Sequence, residues 1–158
     1  DAKEFARLLT LNIAAPQALI AAFDAMLRAS DDARVLALTS SVGASPRAYW
    51  GAYGASKAAL TYFAHALRAD LAAEGVDVVV VSPGFVKTPL TDRNDFPMPF
   101  MVTADDAAQR IANGLAKGRN EIAFPRRFTW LLKVLGALPQ GVVDRMAASM
   151  ARKADQNS

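Results

Sequence analysis

The feature that most constrains the fold is a run of β-branched residues at 76–82 (VDVVVVS), in which the apolar side chains hardly alternate with polar ones. A nearly continuous apolar run is typical of a strand buried on both faces. A shorter run of this kind occupies 34–39 (RVLALT), and 121–124 (EIAF) offers one more short strand. The sequence therefore predicts a sheet whose strands are covered by helices on both sides.

Helical patterns separate the three strands. Apolar residues recur near helical spacing over 3–29, 51–74 and 104–117, and Gly75 and Gly118 end the second and third of these helices. A helix between consecutive strands gives parallel strands joined by helical crossovers, so we predict an α/β fold with a doubly wound parallel sheet. Three strands are few for such a sheet, and the chain starts in helical register. We therefore expect an N-terminal βαβ portion of the domain to be absent from this chain.

Length and composition limit the class of protein. The 158 residues suffice for one domain with a core, and we expect 1–125 to belong to one domain and 126–158 to be its amphipathic helical extension. Absence of cysteine excludes disulfides and thiolate metal sites and favours the cytoplasm. With a single histidine we expect no metal centre. The net charge of +3, spread along the chain, is too mild to indicate nucleic acid as a partner.

Membrane contact is considered at two places. No uninterrupted apolar run reaches the roughly 18 residues that span a bilayer. The tail carries basic and apolar residues in helical patterns at 126–135 and 140–152. These helices either lie on a membrane surface or cover a substrate pocket or a subunit partner, and we favour the second interpretation.

A tyrosine and a lysine stand four residues apart near the start of the helix at 51–74. Positions i and i+4 share a helix face, so the Tyr53 phenol and the Lys57 ammonium point into the same space. An ammonium beside a phenol favours the phenolate, and we expect it to lower the pKa of Tyr53 from its usual value of about 10. The pair indicates an acid/base site, with a simple surface pair as the alternative.

A proline interrupts the first helix close to a polar residue. Pro16 has no N–H, so the carbonyl of Asn12, four residues earlier, loses its normal helical partner. A carbonyl freed inside a protein must find another donor, usually water. We therefore predict a disturbed helix at Asn12, with an ordinary polar position of the helix as the alternative.

Four short motifs lie at characteristic distances from one another. They are Leu11-Asn12, Thr39-Ser40-Ser41-Val42-Gly43, Tyr53-Gly54-Ala55-Ser56-Lys57 and Ser82-Pro83-Gly84-Phe85-Val86-Lys87-Thr88. Asn12 lies 28 residues before Ser40, and Ser40 lies 13 before Tyr53. Together these motifs resemble the classical branch of the short-chain dehydrogenase/reductase family over residues 3–125. The resemblance implies a Rossmann-like fold, of which this chain is the C-terminal, catalytic half.

The resemblance also implies an activity. The family's enzymes interconvert a hydroxyl and a carbonyl by hydride transfer with NAD or NADP. Tyr53 would exchange the proton, Ser40 would bind the same substrate oxygen, and Ser41 is the alternative if the register slips by one. Lys57 would hold the nicotinamide ribose and lower the pKa of Tyr53, while Asn12 would bind a water of the proton relay.

Further cofactor contacts are implied for the segment after the second strand. Pro83 and Gly84 turn the chain where its backbone can approach a ligand, although a plain turn is the alternative. In the family, the residue matching Val86 meets the nicotinamide carboxamide through its backbone. The residue matching Thr88 bonds the carboxamide or the pyrophosphate.

The segment 90–102 matches the family's variable substrate loop. Its apolar residues Phe96, Met98, Phe100 and Met101 are either a lid over a hydrophobic carbonyl or alcohol substrate or a cover for the core.

The family's glycine-rich phosphate loop has no counterpart here, since no Gly-x-x-x-Gly-x-Gly occurs. We expect roughly 90–100 further residues ahead of this stretch in a full family member. Two alternatives to the oxidoreductase stay open. One is a truncated, non-catalytic folding or oligomerisation module that binds no dinucleotide, and the other is an epimerase or dehydratase that reuses the Tyr/Lys pair. The helices at 3–29 and 51–74 match those through which the family assembles, so we expect a homo-oligomer.

Overall fold

The computed structural model describes residues 1–44, 51–94 and 98–125, together with seven single positions in the tail. These are Thr129, Val134, Leu138, Pro139, Gly141, Val142 and Arg145. The tail helices predicted at 126–135 and 140–152 fall almost wholly outside the described residues.

The described residues contain four α-helices and three strands. In chain order they are α1 (Ala2–Leu9), α2 (Ala15–Arg28), β1 (Arg34–Leu38), α3 (Gly51–Leu71), β2 (Asp77–Pro83), α4 (Ala104–Ala116) and β3 (Glu121–Phe124). The strands lie in the order β1-β2-β3 and both pairs are parallel. The predicted α/β fold with a parallel sheet is confirmed.

Local sequence explains where the helices begin and end. α3 continues into a short 3-10 turn, Ala72–Glu74, and Gly75 then takes the left-handed conformation with φ 73°. A residue with a Cβ would be strained there, so glycine ends the helix. At the start of α4 the Thr103 hydroxyl accepts a hydrogen bond from the Asp106 N–H at 3.1 Å.

Strand β2 lies at the centre of two core clusters. Val78 and Val80 pack with residues of α3 on one face of the sheet. Val79 and Val81 pack with residues of α4 and β3 on the other face. Because all four valines are at most 2% exposed, each contributes about 1.5–3 kcal/mol of burial free energy. The predicted burial of this strand on both faces is confirmed.

Strand β1 is packed less completely. Leu36 and Leu38 are 44% and 56% exposed, so the prediction that 34–39 is buried on both faces is wrong. The physical reason is that Val35 and Ala37 pack against the core cluster on the α3 face, whereas Leu36 and Leu38 point to the opposite face and join neither described core cluster. An open apolar groove runs between α2, β1 and α3, and Asn12 and Lys57 are among the residues that line it.

The N-terminal helical segment contributes no buried side chain. α1 and α2 follow each other through a π-helical turn at Thr10–Ala14, and none of the three has a buried residue. Although no apolar run is uninterrupted, the segment Ala2–Arg28 is long and apolar enough to cross a membrane by length and composition alone. One such helix near an N-terminus is weak evidence for a membrane span, because a signal sequence passes the same test.

Candidate active site

The carboxyl ends of β1 and β2 are joined by a buried threonine. The Thr39 N–H donates to the Val81 carbonyl at 2.8 Å, and the Thr39 hydroxyl lies 3.0 Å from the same carbonyl. That hydroxyl is also 2.8 Å from the Ser82 hydroxyl. These bonds fix the two strand ends beside each other, at the edge where open α/β sheets bind their ligands.

The loop after β1 places Ser40 against α3. A Cβ on Gly43 would lie 2.8 Å from the Ala58 nitrogen and 3.1 Å from the Lys57 carbonyl carbon. Only a residue without a side chain allows this approach, so the loop and the helix meet backbone to backbone. Within the loop, the Ser40 hydroxyl accepts from the Val42 N–H at 3.3 Å.

Three of the predicted catalytic residues lie together. The Ser40 side chain lies near enough to the Tyr53 phenol to lower its pKa by hydrogen bonding. The Lys57 Nζ lies 5.9 Å from the centroid of the Tyr53 ring and donates to the Leu38 carbonyl at 2.9 Å. The i, i+4 spacing therefore brings Tyr53 and Lys57 to one place, and the end of β1 holds the ammonium there.

The expected fall in the pKa of Tyr53 is not found. Tyr53 is 37% exposed, and burial raises the pKa of its phenol above the ordinary value, while the hydrogen bond from Ser40 opposes this rise. Burial also lowers the pKa of the Lys57 ammonium. The expectation was wrong because removing either group from water disfavours its charged form, and this outweighs an ammonium 5.9 Å from the ring.

Asn12 lies in the π-helical turn between α1 and α2. The Ala15 N–H donates to the Thr10 carbonyl, an i to i−5 bond in place of the usual i to i−4 bond. The disturbed helix predicted from Pro16 is thereby confirmed, since a proline near the start of α2 cannot donate to Asn12.

A buried serine connects Asn12 to the catalytic helix. The Asn12 Nδ2 donates to the Ser56 hydroxyl at 3.0 Å, and this hydroxyl donates to the Tyr53 carbonyl at 2.8 Å. Ser56 is fully buried, so water does not compete for these bonds. Ser56 therefore holds the π-helical turn against the second turn of α3, beside Lys57.

The segment after β2 is tied down at both ends. Pro83 is the last residue of β2, and the Gly84 N–H donates to the Phe124 carbonyl at 2.7 Å. Val86 forms a parallel bridge with Val102. The predicted cofactor contacts at Pro83, Gly84 and Val86 thus lie at the same carboxyl edge as Thr39.

Thr88 bonds to a second threonine three residues later. The Thr88 N–H donates to the Thr91 hydroxyl at 2.8 Å, and the Val86 carbonyl accepts from the same hydroxyl at 2.8 Å. This threonine stands at the start of a 3-10 turn, Thr91–Arg93.

The predicted substrate loop is described in part. Met98 is half-buried and its sulfur accepts a weak hydrogen bond from the Asn94 Nδ2 at 3.6 Å, whereas Phe96 lies outside the described residues. Phe100 is 61% exposed and Met101 36% exposed, which argues against a cover for the core. Phe100 has φ 60°, a conformation that is rare for a bulky residue and that clusters at ligand sites.

Three residues of this region had no assigned role in the sequence analysis. Gly43 and Ser56 stand inside recognised motifs, three residues after Ser40 and Tyr53, and their spacing alone did not show what they contact. Thr91 had a weak signal, since threonine hydroxyls commonly bond backbone groups a few residues away.

The residues present fit the nicotinamide end of a dinucleotide. Lys57, the Val86 backbone and Thr88 offer donors and acceptors at the edge where β1 and β2 end. The pyrophosphate end has no glycine-rich loop in this sequence.

Comparison with known proteins identifies the class of protein that this fold and site define. Residues 1–96, more than half of the chain, match the short chain dehydrogenase family. The chain belongs to this family, which confirms the resemblance stated from its motifs.

Two relatives illustrate the match in sequence. An uncharacterized oxidoreductase of Myxococcus xanthus is 41% identical over 96 residues, which cover 61% of this chain and 38% of the relative. The dehydrogenase/reductase SDR family member 7B of Bos taurus is 30% identical over 159 residues, which cover 93% of this chain and 49% of the relative.

Solved structures show the same fold. A short chain dehydrogenase from Burkholderia cenocepacia in complex with NADP superposes with a TM-score of 0.79 at 22% sequence identity. The match covers 92% of this chain and 60% of the Burkholderia chain. A short-chain dehydrogenase from Sphingobium yanoikuyae in complex with NADPH superposes with a TM-score of 0.72 at 22% sequence identity. The match covers 100% of this chain and 58% of the Sphingobium chain. The chain therefore spans between 38% and 60% of the length of these relatives.

Proposed function

We propose that this chain supplies the catalytic half of an NAD(P)-dependent oxidoreductase that interconverts a hydroxyl and a carbonyl on a hydrophobic substrate. The observation that carries the proposal is the placement of the Lys57 ammonium 5.9 Å from the Tyr53 ring and against the Leu38 carbonyl at the end of β1, with Ser40 two residues further along the chain. Membership of the short chain dehydrogenase family supports it.

Tyr53 acts as the acid in the direction of carbonyl reduction. Because its pKa is raised, the phenol holds its proton at neutral pH and can donate it to the substrate oxygen. Ser40 hydrogen-bonds the same oxygen as negative charge develops on it. Lys57 then stabilises the phenolate that Tyr53 becomes, and the Asn12 backbone binds a water through which the proton is replaced.

The cofactor is a nicotinamide dinucleotide, NAD or NADP, which when bound supplies or accepts the hydride. Lys57 and Tyr53 hold the ribose next to the nicotinamide. Pro83 and Gly84 let the backbone approach it, and Val86 and Thr88 bind its carboxamide end. The structures solved with NADP and NADPH, which share this fold, support this class of cofactor.

The substrate is a small or medium hydrophobic carbonyl or alcohol. Ser40 binds its oxygen, and Phe96 and Met98 contact its apolar part. The exposure of Phe100 and Met101 in the same loop supports an apolar surface that closes over a ligand rather than one that fills the core.

The test compares this chain with a longer polypeptide that carries the same sequence behind a glycine-rich phosphate loop. NADH and NADPH are titrated against both while nicotinamide fluorescence is recorded, and the longer polypeptide is assayed for ketone reduction. We expect the longer polypeptide to bind and to reduce, and its Tyr53→Phe variant to bind without reducing. Absence of binding by the longer polypeptide, or full activity of the variant, contradicts the proposal.

The second candidate is a non-catalytic folding or oligomerisation module. It is favoured by the exposed Leu36 and Leu38 side chains of β1 and by the helical segment Ala2–Arg28, which has no buried residue. Sedimentation of this chain is expected to show a homo-oligomer, whose contact we assign to the helices at 3–29 and 51–74. An oligomer that forms while no polypeptide carrying this sequence binds dinucleotide would make the module the better description.

A further inference from the structure

One threonine hydroxyl forms several hydrogen bonds in the predicted cofactor loop, residues 83–91. The Thr91 Oγ1 lies 2.8 Å from the Val86 carbonyl and 3.0 Å from the Thr88 carbonyl. It also accepts from the Thr88 N–H at 2.8 Å and lies 3.3 Å from the Thr88 hydroxyl. Thr91 thus contacts both residues to which the proposed function assigns the nicotinamide end of the cofactor.

The protons show how this arrangement works. A hydroxyl has one proton to donate and two lone pairs that accept. Thr91 accepts the Thr88 N–H and gives its proton chiefly to the nearer carbonyl, that of Val86. A carbonyl has two lone pairs, so the Val86 oxygen keeps one for another donor.

The Thr88 side chain is oriented by the same residue. The Thr91 N–H donates to the Thr88 hydroxyl at 3.3 Å, and this hydroxyl retains a proton of its own. The loop is therefore organised before any ligand arrives, which lowers the entropy that binding must overcome.

We infer that Thr91 is a positioning residue for the cofactor: it holds the Val86 carbonyl and the Thr88 hydroxyl where they bind the nicotinamide carboxamide. This inference rests on the proposed function. The simpler role, in which the Thr91 hydroxyl only stabilises the turn between Val86 and Thr91, would affect stability without a specific effect on cofactor affinity.

The experiment uses the longer polypeptide with the phosphate loop and two substitutions of one residue. Thr91→Val keeps the shape and removes the hydroxyl, and we expect it to raise the Kd for NADPH about tenfold while kcat changes less than about threefold. Thr91→Ser keeps the hydroxyl, and its Kd should stay within about threefold of the original.

The matched control is Thr103→Val. The Thr103 hydroxyl caps α4, so this variant should lower the melting temperature and leave the Kd for NADPH within about twofold. The inference is overturned if Thr91→Val binds NADPH as tightly as the original, or if Thr91→Ser loses as much affinity as Thr91→Val. If Thr91→Val does not fold, the Kd of Thr91→Ser for NADPH tests the inference instead. Thr91→Ser keeps the hydroxyl, so a tenfold loss of affinity in this variant would contradict a role for the hydroxyl.

A second measurement needs no cofactor. Amide hydrogen exchange at Thr88 in this chain should become about tenfold faster in Thr91→Val and remain unchanged in Thr103→Val. Unchanged exchange in Thr91→Val overturns the organising role of Thr91. Exchange at Thr88 can become faster in Thr91→Val while the original longer polypeptide binds neither NADPH nor NADH. In that case the proposed function and the role of Thr91 in cofactor binding are both wrong, and only the contacts within the loop are supported.

Discussion

The two sides of the sheet differ in how they are held together. On the β2–β3 side, valines at most 2% exposed pack against α4 and β3. On the β1 side, Leu36 is 44% exposed and the neighbouring helical segment has no buried residue. The comparison teaches that stability and chemistry come from different parts of the chain, because the Ser40, Tyr53 and Lys57 side chains are assembled on the β1 side.

On the β1 side, the loop after β1 and the helical segment Ala2–Arg28 are held to the rest of the fold by specific contacts. Gly43 lets the loop touch α3, Ser56 joins Asn12 to the same helix, and the Leu38 carbonyl holds Lys57. Each of these contacts can be removed by one substitution. On the β2–β3 side, the free energy of unfolding instead falls when a substitution removes packed side-chain volume.

The largest expected effect separates chemistry from stability. In the longer polypeptide, Tyr53→Phe removes the proton donor and should lower kcat about 10³-fold, which corresponds to about 4 kcal/mol. The free energy of unfolding should change by less than about 1 kcal/mol. NADPH oxidation with a hydrophobic ketone and urea unfolding measure the two quantities. Residual activity above a tenth of the original would contradict the role of Tyr53.

A pair of matched truncations measures the difference between the two strands directly. Val80→Ala removes two methyl groups from a site that is 1% exposed and should cost about 2–3 kcal/mol. Leu36→Ala, on the open face of β1, should cost less than about 1 kcal/mol. Equal losses in urea unfolding would show that β1 is as well packed as β2 in solution.

Gly43→Ala should break the contact between the loop and α3. The added Cβ would lie 2.8 Å from the Ala58 nitrogen, and relieving this clash should cost about 2 kcal/mol and lower activity by separating Ser40 from Tyr53. Gly51→Ala is the control, since a Cβ there meets nothing within 4 Å. The interpretation fails if both variants unfold at the same urea concentration.

Ser56→Ala tests the polar link to the helical segment. Losing the Ser56 hydroxyl removes one bond to Asn12 and one to the Tyr53 carbonyl and should cost about 1 kcal/mol. Thr10→Ala removes an exposed hydroxyl bond to the Ala6 carbonyl and should cost less than about 0.5 kcal/mol. A Ser56→Ala variant as stable as the original would show that the Ser56 hydroxyl does not hold Asn12 in place.

The smallest effect is the titration of Tyr53 itself. Because its pKa is raised above 10.0 in the folded chain, the unfolded chain releases this proton first as the pH rises. Tyr53 therefore reduces stability only at pH values above about 10 and leaves neutral pH unaffected. The near-ultraviolet absorbance of tyrosinate, taken as the difference between the original chain and Tyr53→Phe, follows this group. A midpoint below 10.0 would restore the expectation of a lowered pKa.

Much of the architecture could be predicted because it depends on local pattern. The valine run of β2, the glycine at position 75 and the cap at Thr103 each act within a few residues of the chain. The helical interruption near Asn12 followed from the missing N–H of Pro16. The burial of β1 was mispredicted because an apolar run does not show which neighbours cover it.

The sequence by itself determined the parallel α/β order, the family, and the shared helix face of Tyr53 and Lys57. Their spacing is a property of one helix, so no distant segment is needed to establish it. The tertiary structure decided the direction of the Tyr53 pKa, the Ser56 bond to Asn12 and the approach of Gly43 to Ala58. Desolvation and long-range hydrogen bonds depend on which segments the fold brings together. The order of residues along the chain does not give the distances between those segments.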